Sequence, residues 1–274
     1  MTTDTELIRL SRRIRADVLR ATTEAGSGHP GGSLSATDIL ITLFWRILRH
    51  DPRNPLWSDR DRFILSKGHA APALYTVLAE RGYFPKEQLY HLREHGSMLQ
   101  GHPDATRTPG VEVSSGSLGN GLSIATGIAC ALKLDGKSSR VYCLLGDGEC
   151  DEGLVWEAAM FAAHRRLDNL AAIIDRNGLQ IDGPTEKVVS LEPLADKWRA
   201  FNWHVICVDG HDHSQLLAAF EEAKNVTGKP TIIIANTVKG KGVSFMEGVV
   251  GFHGKACTLV ELDTACKELE GGLR

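Results

Sequence analysis

Two stretches decide the fold: Val141-Tyr142-Cys143-Leu144-Leu145-Gly146-Asp147-Gly148-Glu149 and Leu170-Ala171-Ala172-Ile173-Ile174-Asp175-Arg176-Asn177-Gly178. Each is a short apolar run that stops abruptly at glycine and acidic or amide residues, the pattern of a strand buried on both faces. Between them, a helical pattern runs through Trp156, Met160 and Leu167. Strand, helix, strand at this length is a βαβ crossover, so the two strands are expected to be parallel neighbours. Further apolar runs at Val205-Ile206-Cys207-Val208 and Thr231-Ile232-Ile233-Ile234-Ala235 alternate with a helical pattern over residues 215–224. The expected fold is α/β: a three-layer α/β/α sandwich with a mostly parallel sheet.

The first half reads as helical. Leu7, Ile8, Ile14, Val18 and Leu19 fall at helical spacing, and the Gly-rich segment Gly26-Ser27-Gly28-His29-Pro30-Gly31-Gly32 interrupts the pattern. Ser35 or Thr37 is expected to cap a second helix through Ile39, Leu40, Leu43 and Phe44. Helices are also expected over residues 71–80, 86–94 and 121–134. No repeat, low-complexity tract or linker marks a boundary, so residues 1–274 are expected to form one domain.

Composition narrows the functional classes. A formal charge of -3 over 274 residues, without a long run of like charge, points away from nucleic acid and membrane surfaces. Arg12-Arg13 and Arg165-Arg166 read as solvated helix faces. No stretch reaches the ~20 apolar residues of a membrane span. Met1-Thr2-Thr3-Asp4 lacks the basic and apolar regions of a signal peptide. The six cysteines are scattered, with no Cys-x-x-Cys pair, so a reducing, cytoplasmic location is expected.

The chemistry sits where the two strands end. Ligands of parallel sheets bind at the carboxyl ends of the strands, and both Asp147 and Asn177 fall there. Asp147 offers a carboxylate oxygen, Asn177 an amide oxygen and Leu179 a backbone carbonyl. Such a set leaves most of an octahedral Mg²⁺ shell to phosphate oxygens and water. Gly148 permits close backbone approach, and the helix that follows offers amides to an anion. Singly, Gly-Asp-Gly and Asn-Gly are turn sequences; their pairing across one crossover favours a metal site.

With these residues in view, the sequence resembles the transketolase family of thiamine-diphosphate enzymes. Gly146-Asp147-Gly148-Glu149, Glu152-Gly153, Trp156-Glu157-Ala158, Asp175-x-Asn177 and Ile181-Asp182-Gly183 look like that family's form of the cofactor signature. Similar matches are Ser27-Gly28-His29-Pro30-Gly31, Ser66-Lys67-Gly68-His69-Ala70, Gly101-His102-Pro103 and Gly116-Ser117-Leu118-Gly119-Asn120-Gly121. Lys239-Gly240-Lys241-Gly242 and His253-Gly254 complete the order.

The resemblance implies a thiamine-diphosphate-binding fold and assigns roles. His69 and His253 would contact the diphosphate with the Gly148 amide, within a motif that also includes Gly146 and Glu149. Asp147, Asn177 and the Leu179 carbonyl would hold Mg²⁺, or Ca²⁺ or Mn²⁺ in its place. His29, His102 and His253, with His69, would line the substrate channel as acid–base groups titrating near neutrality. Gly116 and Leu118 would lie against the cofactor rings, and Glu152 where paired active sites meet.

The family's pyrimidine-binding and C-terminal domains, with the glutamate that activates the cofactor, have no counterpart here. The resemblance therefore implies the N-terminal subunit of a split transketolase, a heterotetramer of two copies each with a C-terminal partner chain. It would transfer a two-carbon ketol unit from a ketose phosphate to an aldose phosphate. The alternative is the same donor chemistry with an unusual acceptor, an atypical sugar phosphate or a lipoyl-type carrier protein. The α-chain of a 2-oxo-acid dehydrogenase is not expected to carry the Ser-Gly-His-Pro-Gly and Ser-Lys-Gly-His loops, and a purely regulatory role would require a damaged metal site. A reading from another class comes from His91-Leu92-Arg93-Glu94-His95, which fits the His-x-x-Glu-His pattern of zinc peptidases. No third ligand is evident there, and Gly96 follows at once.

Overall fold

The computed structural model describes residues 3–271, so residues 1–2 and 272–274 lie outside the described residues. Chain order is α1 (Asp4–Glu24), α2 (Pro30–Thr42), β1 (Arg62–Leu65), α3 (Ala71–Arg81), α4 (Asn120–Leu134), β2 (Val141–Gly146), α5 (Gly153–His164) and β3 (Leu170–Arg176). There follow a small hairpin, β4 (Leu179–Gln180) with β5 (Gly183–Pro184), then α6 (Thr185–Val188) and α7 (Leu194–Ala200). The chain ends with β6 (His204–Asp209), α8 (His213–Asn225), β7 (Thr231–Asn236) and α9 (Leu259–Gly271).

The five long strands form one sheet in the order β1-β2-β3-β7-β6, every pair parallel. β2 and β3 are neighbours, with Val141 opposite Leu170 and Gly146 opposite Asp175, as the crossover requires. Alternation of side chains divides the core in two. Tyr142, Leu144, Ala171, Ile173 and Ile233 face the layer built on α1, α2, α3 and α8. Val141, Cys143, Leu145, Ala172, Ile174 and Ile232 face α4, α5 and Trp198 of α7. Deleting one such leucine or isoleucine to alanine costs about 2–5 kcal/mol, because the packed core cannot collapse to fill the space.

Local chemistry explains where the elements differ from the expectation. α2 begins at Pro30, upstream of Ser35 and Thr37, because proline at a first helical position has its dihedral preset and lacks only an amide that would be unpaired. Ser35 instead donates to Asp175 at 2.6 Å, and Thr37 to the Ser33 carbonyl at 2.9 Å. The 86–94 helix shrinks to a 3-10 segment, Lys86–His91, after which Arg93 adopts a left-handed φ of 64°. α5 ends at His164, and Leu167 is buried beyond it. Among the described residues no helix is long and apolar enough to cross a membrane, and the six cysteines are free.

Candidate functional site

Loops that leave the carboxyl ends of β1, β2, β3 and β7 contribute to one cleft of about 220 Å³. Its walls include His29, His69, His102, Gly116, Leu118, Gly146, Asp147, Gly148, Glu149, Asn177, Leu179 and His253, so the structure brings together all of the expected catalytic, cofactor and metal residues.

Asp147 is 2% exposed and directly follows β2. Its carboxylate accepts from the amides of Gly148 (2.8 Å) and Gly178 (2.6 Å) and from the Arg176 guanidinium (3.1 Å). Burial pushes its pKa up and the charge of nearby Asp175 adds to this, with the two amides and Arg176 opposing. A buried carboxylate so placed gains from a further cation. Asn177 accepts from the Leu179 amide at 3.1 Å, and the Leu179 carbonyl accepts from the Lys239 ammonium at 3.0 Å. One carboxylate, one amide oxygen and a carbonyl that already attracts a cation fit a divalent ion with phosphate oxygens in its remaining positions. Among the described residues no cluster of three His, Cys, Asp or Glu offers an alternative metal site.

Two lysines that sit inside the sequence motifs, and to which no role was assigned there, are central. Lys67 is 1% exposed, donates to the Gly32 carbonyl at 3.0 Å and pairs with Asp175, itself 0% exposed. Burial works to raise the Asp175 pKa, but Lys67 and hydrogen bonds from Lys67, Ser35 and Thr237 hold it below the ordinary value. Lys239, 2% exposed, reaches His253 Nδ1 at 2.8 Å. Burial and the charge of Lys67 lower its pKa to about 8, with Asp147 and Asp175 opposing. A lysine in a glycine-rich loop ordinarily reads as solvated; the available signal was its place inside a segment that also carries site residues.

The four histidines converge. Ring centroids lie 5.5 Å apart for His29 and His69, 6.2 Å for His29 and His102, 5.5 Å for His29 and His253, and 5.0 Å for His69 and His253. They do not titrate near neutrality as expected. Burial is the first cause, and positive neighbours add to it: His29 falls to about 4, beside His102, Arg93 and Lys239. His253 falls to about 3, beside Lys239. His69 and His102 are lowered too, first by burial and then by Lys67 and Arg93 respectively. At neutral pH the cluster is therefore uncharged, each ring carrying one donor and one acceptor. His29 Nδ1 is buried with no hydrogen-bond partner among the described residues, an atom open to a ligand.

Glycine is required for close approach at two points. A Cβ on Gly32 would lie 3.2 Å from His69 Nε2, and one on Gly116, whose φ is +150°, would lie 3.0 Å from His102 Cδ2. Glu149 lines the cleft, but its carboxylate is engaged internally, by the amides of Gly119 and Gly146 at 2.9 Å each and by the Ser66 hydroxyl. It ties three site loops together. Glu152 is exposed at the N-cap of α5.

The zinc reading fails on geometry. His91 ends its 3-10 segment, so His91 and His95 do not share a helix face, and His91 is exposed and paired with Glu94 at 2.8 Å.

Comparison with known proteins identifies the family. The chain matches the family described as transketolase, thiamine diphosphate binding domain, over residues 5–270. It is 49% identical over 261 residues to a 6-deoxy-6-sulfo-D-fructose transketolase subunit of Clostridium sp. strain MSTE9, covering 93% of this chain and 95% of that one. It is 42% identical to one of the subunits of an apulose-4-phosphate transketolase from Phocaeicola vulgatus, covering 94% and 92%. Its fold superposes on transketolase from Leishmania mexicana with a TM-score of 0.91 at 31% identity, covering 98% of this chain and 42% of that longer one. Matched by the family model over nearly its whole length, the chain belongs to the transketolase family, as a thiamine-diphosphate-binding domain.

Proposed function

We propose that this chain is the diphosphate- and metal-holding subunit of a two-chain transketolase that moves a two-carbon ketol unit from a ketose phosphate to an aldose phosphate. The observation that carries this reading is the convergence of Asp147, Asn177 and the Leu179 carbonyl with four uncharged histidines and two buried lysines in one cleft. Bound thiamine diphosphate supplies a nucleophilic carbon and a sink for the negative charge that develops there. The oxygens of Asp147, Asn177 and Leu179 hold Mg²⁺, for which Ca²⁺ or Mn²⁺ can substitute. Lys239, His69 and His253, which line the same cleft, would hold the diphosphate oxygens. His29 and His102 donate to and accept from substrate hydroxyls, holding or moving the proton that carbon–carbon cleavage beside a hydroxyl requires.

A partner subunit supplies the pyrimidine-binding and C-terminal domains. The relatives named as subunits support this, and so do exposed apolar side chains on two outer helices. Ile124 on α4 with Met160 and Phe161 on α5 are 39, 55 and 45% exposed, on two helices that pack together. The assembly is a heterotetramer of two copies of each chain, and its location is cytoplasmic.

The test is to co-purify the chain with the product of the neighbouring gene and supply thiamine diphosphate, Mg²⁺, xylulose 5-phosphate and ribose 5-phosphate. Sedoheptulose 7-phosphate formed by the mixture, and by neither chain alone, is the expected result. No donor consumption under any combination would refute the activity. A second reading is favoured by the relatives' names: the physiological sugar is atypical, as in proteins named for 6-deoxy-6-sulfo-D-fructose and apulose 4-phosphate. Under it, donor is consumed faster with one of those sugars than with xylulose 5-phosphate.

A further inference from the structure

A chain of buried polar contacts runs behind the cleft and ends on the backbone that carries Lys239. The Val238 amide donates to His211 Nε2 at 2.9 Å, and His211 Nδ1 lies 2.7 Å from the Asp38 carboxylate. Because the amide can only donate, Nε2 is the acceptor and the ring proton sits on Nδ1, pointing at Asp38. Asp38 is held in turn by Arg15, at 2.5 and 3.3 Å, and Arg15 also donates to the Leu34 carbonyl. His211 is anchored from its own loop, where its amide donates to Asp209 at 2.8 Å. The His211 and Asp38 side chains are 13% and 5% exposed, and with Arg15 they form part of the wall of a second cavity.

The path joins three elements that bear on the site. Asp38 belongs to α2, whose N-cap is His29; His211 follows β6; Val238 and Lys239 follow β7. The next peptide from Val238 sets where the Lys239 side chain leaves the backbone, and its ammonium must reach the Leu179 carbonyl and His253 together. The same backbone is also tied by the Thr237 amide to the Arg176 carbonyl, the Gly240 amide to the Gly31 carbonyl and the Gly248 amide to the Lys239 carbonyl. A lost amide contact at Val238 therefore loosens it at one point, without touching the cleft itself.

We propose that His211, through the hydrogen bond it accepts from the Val238 amide, is a positioning residue that fixes the Val238–Lys239 backbone and so the Lys239 ammonium at the diphosphate end of the cleft. The role at the diphosphate rests on the proposed function above; the fixing of Val238 does not.

Two near-isosteric substitutions separate this role from a merely structural one. In His211→Asn the side-chain amide stands where Nδ1 was, keeping the bond to Asp38 and losing the one from Val238. In His211→Gln the terminal oxygen stands where Nε2 was, keeping the Val238 bond and losing the one to Asp38. The full chain is titrated calorimetrically with inorganic diphosphate in Mg²⁺, and exchange of the Val238 amide is followed in parallel. His211→Asn is expected to bind diphosphate about tenfold more weakly and to exchange Val238 about tenfold faster, the worth of one buried hydrogen bond. His211→Gln is expected to stay within about twofold of wild type in both. The reverse order, with Gln impaired and Asn normal, would mean that His211 serves only to satisfy Asp38, and equal behaviour of the two variants would overturn the proposal as well. Failure of the wild-type chain to bind diphosphate would count against the functional reading. Val238 exchange would then still decide the positioning role, through the difference between the two variants.

Discussion

Replacing Lys67 with methionine removes the ammonium from a pair in which both side chains are sealed from water, at 1% and 0% exposure. The remaining Asp175 carboxylate keeps donors from Ser35 and Thr237 but loses its paired cation, and the Gly32 carbonyl loses one of its two side-chain donors, Ser35 being the other. Breaking a buried pair by deleting one partner costs about 3–5 kcal/mol, because the survivor is left charged in a low-dielectric interior. The two surviving hydroxyl donors place the expected cost near the lower end, about 3 kcal/mol. Ser35 and Thr237 donate to different oxygens of Asp175. Lys67→Met with Asp175→Asn removes both charges and keeps an oxygen for one of these hydroxyls, while the other can accept from the new amide, so most of the penalty should disappear. The double variant is expected within about 1.5 kcal/mol of wild type, a coupling of about 2 kcal/mol or more in the cycle. Urea unfolding measures it, with the cost read from the midpoint at constant slope. A single-variant cost below about 1 kcal/mol, or two penalties that simply add, would refute the claim that the buried charge dominates.

Three further outcomes are expected. Asp147→Ala should leave the chain folded by circular dichroism and abolish Mg²⁺-dependent uptake of thiamine diphosphate; calorimetry showing wild-type affinity would remove the metal assignment. For acid stability, His29 and His253 have folded pKa values of about 4 and about 3 against an ordinary 6.5. The unfolded chain therefore binds more protons below 6.5, and the stability present above that pH is lost as pH falls through 6.5 towards 4 and then 3. The urea midpoint should fall over that window, and His29→Asn should fall less steeply; identical slopes would contradict the shift. His91→Ala should change the urea midpoint by no more than an exposed ion pair is worth, under about 1 kcal/mol, and the activity of the two-chain mixture hardly at all; lost activity would revive the zinc reading.

What the sequence discloses depends on how locally each feature is determined. β2, β3 and β7 are legible because a strand covered on both faces must be apolar throughout, and their residues are buried almost without exception. β1 is only Arg62-Phe63-Ile64-Leu65, too short for a periodic signal and opened by an arginine, and it becomes a strand by pairing with β2. α7 escapes for a related reason. It is only seven residues long with three charges among them, and its place is fixed by Trp198, fully buried against Trp156 and Trp203. α9, with only Ala265 and Leu269 buried among its described residues, offers too narrow an apolar stripe.

The site divides along the same line. Asp147, Asn177 and the histidine loops are legible because the ends of parallel strands are where loops meet, whatever the rest of the chain does. The electrostatics are not legible, since they come from which charges tertiary packing brings together. Lys67 meets Asp175 and Lys239 meets Leu179 only across the folded sheet edge. Burial of the rings, and after it the charges of these lysines, lowers His69 and His253, whose imidazoles in the sequence carry no hint of it. Two buried ammonium groups that oppose each other, beside rings kept neutral at a cost in solvation, form an arrangement poised for negative charge. A diphosphate oxygen held beside Lys239 and His253 would offset the repulsion and raise the proton affinity of both. The binding energy of the anion would thereby return to the histidines the titration range that acid–base work near neutral pH requires.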